Sequence, residues 1–107
     1  MKNLSPKTYI GNENMSEKAY LKAGFYSKPN TYDMSFYIYK DIVKAAISID
    51  KEDFAMSVDV THNDNMFAPF YNPDDRHNNY VYEESVKEYN KQMDKLVKKG
   101  VLICEDN

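Results

Sequence analysis

Residues 62–79 carry five side chains with donor atoms for a divalent metal: His62, Asp64, Asp74, Asp75 and His77. Imidazole and carboxylate together suit zinc or manganese. Their spacing argues otherwise. No H-x-x-x-H, C-x-x-C or D-x-D pattern occurs, and the stretch is rich in asparagine, so the expectation is a set of solvated loop polars. A second group, Asp50, Glu52 and Asp53 with Asp59 just beyond, offers paired carboxylates for acid–base work or Mg²⁺. Adjacent acids between two strand patterns read more simply as turn residues, because aspartate bonds its own backbone there. With Asp33 and Asp41 they also make a negatively charged face suited to a basic partner. Cys104, the lone cysteine, lies in an apolar run with no base nearby in sequence. It reads as a buried structural thiol rather than a nucleophile. The expected chemistry is therefore non-enzymatic, with no metal and no cofactor.

Two aromatic groups are better suited to contact than to reaction. Tyr37 and Tyr39, with Ser35, fall on one side of a strand pattern. Tyrosines on a sheet can stack bases, but that mode needs basic neighbours, and here only Lys40 and Lys44 are close. Packing under a helix is the simpler reading, and contact with a protein partner is the functional one, since tyrosine is enriched at binding hot spots. Phe67, Phe70 and Tyr71 sit in the most apolar loop segment, either capping the core or anchoring a partner. The basic cluster Lys95, Lys98 and Lys99 falls at the end of a helical pattern, where cations complement the helix dipole.

The elements that position these residues follow from periodicity. Residues 1–13 are polar, with Pro6 and Gly11, and read as a flexible N-terminal arm in which Tyr9 and Ile10 could add a short strand. Asn14 and Glu17 have capping-box spacing, and Met15, Ala19 and Ala23 recur at helical spacing before Gly24. The spacing predicts a short helix over 15–23, which must dock because so short a helix is marginal alone. Residues 27–30 read as a turn. Three runs then alternate with period two: Met34, Phe36 and Ile38; Val43, Ala45, Ile47 and Ile49; and Phe54, Met56, Val58 and Val60. In the first run both faces are apolar or aromatic, which predicts a strand that is covered on both sides or sits centrally in the sheet. A helix over 41–49 competes through Ala45 and Ala46. The run 50–53 reads as a four-residue hairpin loop. Residues 62–79 show no periodicity and read as a long loop. Tyr82, Val86, Tyr89, Met93 and Leu96 then step by four, three, four and three, one apolar stripe of a long helix closed by Gly100. Glu83/Lys87 and Asp94/Lys98 have favourable i,i+4 spacing on its wet faces. Residues 101–104 read as a buried strand. The fold class is α+β: an antiparallel sheet of three to four strands packed by one long C-terminal helix, with a short N-terminal helix, in a single domain over 14–107.

Composition bounds the rest. The chain has 107 residues, 42% hydrophobic and 29% charged, enough to bury a core. No stretch approaches the roughly 20 apolar residues of a membrane span, and the N-terminus lacks the apolar region of a secretory signal, so a cytoplasmic location is expected. The net charge of −3 disfavours direct nucleic-acid binding, which normally needs a basic patch. Thirteen Lys against one Arg, with eleven Asn and ten Tyr, suggest AT-rich codons, as in a low-GC bacterium or its phage. No residue run matches a known family. The expectation is a small non-enzymatic protein-binding module that occupies a surface of a larger host protein. Its sharpest form is a phage- or mobile-element-encoded inhibitor of a host nuclease, anti-CRISPR-like, with an acidic surface standing in for DNA phosphates. The expected contact residues are Asp50, Glu52, Asp53, Asp59, Tyr37, Tyr39, Phe67, Phe70 and Tyr71. The alternatives are a nucleic-acid-associated accessory protein using the tyrosine face and the lysine cluster, and a small metal-dependent enzyme using the His62/Asp64/His77 loop.

Overall fold

The computed structural model describes residues 5–105. The elements run β1 (Tyr9–Gly11), α1 (Glu17–Ala23), β2 (Tyr26–Ser27), β3 (Thr31–Tyr39), β4 (Val43–Asp50), β5 (Met56–His62), β6 (Asn65–Met66), two 3₁₀ turns (Ala68–Phe70 and Pro73–Asp75), α2 (Tyr80–Lys98) and β7 (Leu102–Cys104). The fold is α+β with antiparallel sheets. The main sheet has five strands in the order β2-β3-β4-β5-β6, more than the three to four expected. The difference lies in β2 and β6, two-residue strands too short to show periodicity. A separate two-stranded ribbon joins β1 to β7.

The alternation in β4 sets the layering. Val43, Ala45, Ile47 and Ile49 are buried, while Lys44, Ala46, Ser48 and Asp50 are not. The register carries this division across the sheet: Ile47 faces Met34 and Val58, and Ala46 faces Ser35 and Asp59. One sheet face therefore holds the core and the other is open to solvent. Of the two arrangements expected for β3, it takes the central one, between β2 and β4, and is not covered on both sides. The helical alternative over 41–49 also fails, because every residue of β4 pairs in a ladder. A shortest molecular extent of 21 Å is what two stacked layers give.

α2 buries Tyr82, Val86, Tyr89, Met93 and Leu96, the stripe expected of it, together with Ser85. Both helices end in the same motif. Gly24 and Gly100 take φ of 110° and 90°, and each donates to the carbonyl three residues back. The next residues, Phe25 and Val101, donate to the carbonyls of Tyr20 and Leu96. The start of α1 differs from the expectation. Ser16, not Asn14, is the N-cap, accepting from the Ala19 amide at 3.2 Å. Asn14 is held in a preceding turn by the Asn12 side chain, which delays the helix by two residues. The expected i,i+4 pairs are replaced too: Lys87 meets Glu84 at 3.3 Å and Asp94 meets Lys7 at 3.6 Å.

The core is aromatic. Tyr20 stacks on Tyr32 at 4.2 Å and 3°, and its hydroxyl proton is shared between the carbonyls of Asn12, at 2.8 Å, and Val101, at 3.1 Å. Phe70 packs edge-on against Tyr82 and Tyr89. The N-terminal segment is not an arm throughout. Tyr9 is buried against Tyr89, and Gly11 donates to the Phe54 carbonyl at 2.9 Å, while residues 1–4 lie outside the described residues. β7 is only half covered: Leu102 is buried but Ile103 is exposed and Cys104 is half-buried, so the thiol is less enclosed than expected.

Candidate functional site

Residues with alternate positions on β3, β4 and β5 make the open face of the sheet. Its floor is short: Ser35, Ala46, Ser48, Ser57 and Thr61. Short polar and alanine side chains on a strand leave the sheet surface flat and accessible. Three large residues rise from it: Tyr26 is 74% exposed, Tyr37 52% and Met66 68%. Tyr26 pairs with Asp33, Tyr37 with Lys44 and Met66 with Thr61, which places all three on this face at separate points of the sheet.

Of the residues expected to make contacts, Tyr37 and Asp59 belong to this face. Tyr39 does not. An extra residue in β3 between Tyr37 and Tyr39 makes a bulge, so Tyr39 pairs with buried Val43 and turns to the helix side, where it meets Tyr80 edge-on. Phe67 and Phe70 are buried and cap the core. Tyr71 is exposed, but its hydroxyl accepts from the Val60 amide at 2.7 Å and fastens the loop to β5.

The carboxylates divide in the same way. Asp50 Oδ1 accepts from the amides of Glu52 and Asp53 at 2.7 and 3.3 Å, and Asp53 accepts from the Ala55 amide at 2.9 Å. Both are turn-forming residues of the β4–β5 connection, which also places Phe54 at a φ of 61°. Glu52 is exposed at the tip, and Asp59 is exposed on β5. Asp33 is bonded to Lys28 at 2.8 Å and accepts from Ser48 at 2.7 Å. The Lys28 ammonium above all holds the Asp33 carboxyl below its usual range, against the opposing effect of burial. The acidic face is thus interleaved with Lys28 and Lys44.

Among the described residues, no three His, Cys, Asp or Glu side chains gather as a metal site. His62 lies edge-on to Phe67, and His77 is exposed. Asn63 and Asp64, at φ of 51° and 69°, form the two-residue turn between β5 and β6. That hairpin was readable: two turn-forming residues follow the alternating run, and recognising them would have brought Met66 onto the open face. Tyr26 was missed because β2 is two residues long and only its register with β3 reveals its face.

The lysine cluster stands elsewhere. Lys95, Lys98 and Lys99 are exposed on the outer side of α2, whose inner side packs on the core. The sheet separates them from Tyr37, so the tyrosine face and the lysine cluster do not form one track. No protein-family model matches the chain, and neither a curated protein nor a solved structure is similar to it.

Proposed function

We propose that the chain is a non-catalytic protein-binding module whose working surface is the open face of the five-stranded sheet. The observation that carries this reading is the uncovered face itself, with Tyr26, Tyr37 and Met66 exposed over a floor of short side chains. Tyrosine supplies a large rigid contact at low entropic cost, and a flat floor lets a partner approach the backbone closely. The partner in this reading is a larger protein. Tyr26, Tyr37 and Met66 provide the contact area, while Asp59 and Glu52 bias the approach of a basic surface.

The finer form of the reading is an inhibitor of a host nuclease that offers carboxylates in place of DNA phosphates. It rests on Asp59 and Glu52, since Asp50 and Asp53 serve the turn and Asp33 is matched by Lys28. Capture from a host lysate, with and without nuclease treatment, tests the broad reading. A partner retained after nuclease treatment by the native chain, and lost by a Tyr26→Ala/Tyr37→Ala variant of unchanged stability, supports it. Retention that disappears with nuclease treatment overturns it in favour of a nucleic-acid accessory. For the inhibitor form, a Glu52→Gln/Asp59→Asn variant slows association with the captured protein at low salt. Unchanged kinetics remove charge from the mechanism.

A further inference from the structure

Tyr89 is 1% exposed and packs edge-on against Tyr9 and Phe70. Its hydroxyl nonetheless forms no hydrogen bond among the described residues. Of those residues, Ser85 alone has a fully sealed side-chain oxygen without a partner. The Tyr89 oxygen is therefore not sealed, and its window opens on a groove of about 340 Å³ that Tyr89 lines. Burial above all, with the neighbouring Tyr71 phenol, pushes the Tyr89 pKa up, so the hydroxyl keeps its proton and is a donor.

Arg76, the sole arginine, lines the same groove. Its guanidinium is held in place: Nε and Nη2 donate to the carbonyls of Pro69 and Phe70 at 2.6 and 3.2 Å, and it lies 4.9 Å from the centre of the Tyr82 ring. Of the roughly five N–H donors of a guanidinium, those beyond these two bonds are unused. No carboxylate pairs with Arg76 among the described residues, and no Asp or Glu lines the groove. Lys7, the other cation of the lining, is engaged with Asp94 at 3.6 Å. The Tyr71 hydroxyl accepts from the Val60 amide and keeps its own proton to give. A half-buried cation bonded only to neutral groups keeps its charge uncompensated, which favours an anionic group beside it.

We propose that this groove binds a small organic acid, a free monocarboxylate with a compact apolar body. The carboxylate accepts from the unused N–H groups of Arg76 and from the Tyr89 hydroxyl, and the body lies against Met56, Val58 and Phe70. A guanidinium matches the two oxygens of a carboxylate, and its carbonyl bonds fix it before any ligand arrives. Apolar walls with a few convergent polar groups are the usual form of a small-molecule site. The volume stands near the lower end of the roughly 300–1,000 Å³ such sites span, which is why the ligand is compact. The site is separate from the open sheet face, so its failure leaves the reading of that face untouched.

The test is titration of the full chain with hydrocinnamate, followed by calorimetry and by NMR of methyl-labelled methionine. Saturable binding that shifts the Met56 methyl signal is expected, and Tyr37→Ala leaves it unchanged. Hydrocinnamamide has the same shape without the charge and should bind about tenfold more weakly, the scale of a charge-assisted contact. Acetate has the charge without the body and should bind more weakly as well. Arg76→Gln should act on hydrocinnamate as loss of its charge does. Because that variant can loosen the loop Arg76 holds, the amide probe tests the same contact on the native protein. Tyr89→Phe removes only an unpartnered hydroxyl, so the melting temperature should not fall, while affinity for hydrocinnamate drops by about threefold or more. Absence of saturable binding, a shift at Met66 in place of Met56, equal affinity for acid and amide, acetate binding as tightly as hydrocinnamate, or unchanged affinity in Tyr89→Phe overturns the proposal.

Discussion

Ser85 is fully buried on α2, and its hydroxyl has no hydrogen-bond partner among the described residues. A buried hydroxyl without a partner carries a desolvation penalty that alanine does not, and alanine is the better helix former. Ser85→Ala should therefore raise stability by about 1 kcal/mol, read as a higher denaturant midpoint at unchanged slope. A lower midpoint would mean that the hydroxyl is matched after all. Asp33 behaves oppositely. Its carboxyl is lowered in the folded state, chiefly by Lys28, relative to 3.8 for the free group. A lowered folded pKa contributes stability that is present above the unfolded value and lost as pH falls through the folded one. Acid titration of the native chain should lose more stability below about pH 4 than that of Asp33→Asn. Coincident acid limbs would show that the Lys28–Asp33 contact is worth nothing in solution.

At the scale of elements, the helix and the ribbon hold the core by different means. α2 acts through burial: Leu96 is buried, and Leu96→Ala should cost on the order of 2–5 kcal/mol through lost contacts and a residual cavity. A denaturation midpoint unmoved by the substitution would refute that packing. β1 acts through close approach. A Cβ at Gly11 would stand 2.6 Å from Ile49 Cγ2 and 3.2 Å from the Phe54 carbonyl oxygen. Ile49 is itself buried, so neither neighbour can yield cheaply. Gly11→Ala should destabilise by roughly 1–3 kcal/mol, visible in thermal melting. Its amide donates to the Phe54 carbonyl, so the same variant should also speed hydrogen exchange at position 11. Native-like exchange there would separate the ribbon from the sheet.

For the molecule as a whole, tyrosine makes the core sensitive to base. Burial raises the phenol pKa of Tyr9, Tyr20, Tyr32, Tyr82 and Tyr89, and at Tyr9 the bond to Asp94 adds to it. In the unfolded chain these phenols ionise near pH 10. Above that, the unfolded state binds fewer protons than the folded one, so stability falls as pH rises toward the folded values. Each such phenol removes up to about 1.4 kcal/mol per pH unit in that window. The expected outcome is a steep alkaline unfolding transition, with phenolate absorbance from these residues growing together with loss of secondary structure. Phenolate absorbance complete before the circular dichroism changes would show that these rings are accessible in the folded state.

Period-two and period-3.6 patterning by itself determined the strands β3 to β5, the long helix and the glycines that end both helices. Each of these is a local consequence of side-chain alternation or backbone sterics. The same local logic read Asp50 and Asp53 as turn residues. What it could not supply was pairing. β2, β6 and the β1–β7 ribbon are two or three residues long, so their existence depends on distant partners such as Asp33, Thr61 and Cys104. The bulge that turns Tyr39 away from Tyr37 is invisible to periodicity, because one extra residue shifts the face without changing the residue types. Nor could patterning tell that β3 would be left open on its Tyr37 side, or that Phe67 and Phe70 would be the lid of the core. Those outcomes follow from where α2 and residues 67–76 dock, and docking is decided by complementary shapes far apart in the chain. The sequence alone therefore settles which residues form the long strands and the helices. Tertiary packing decides which tyrosines remain in water, and with them the surface available to a partner.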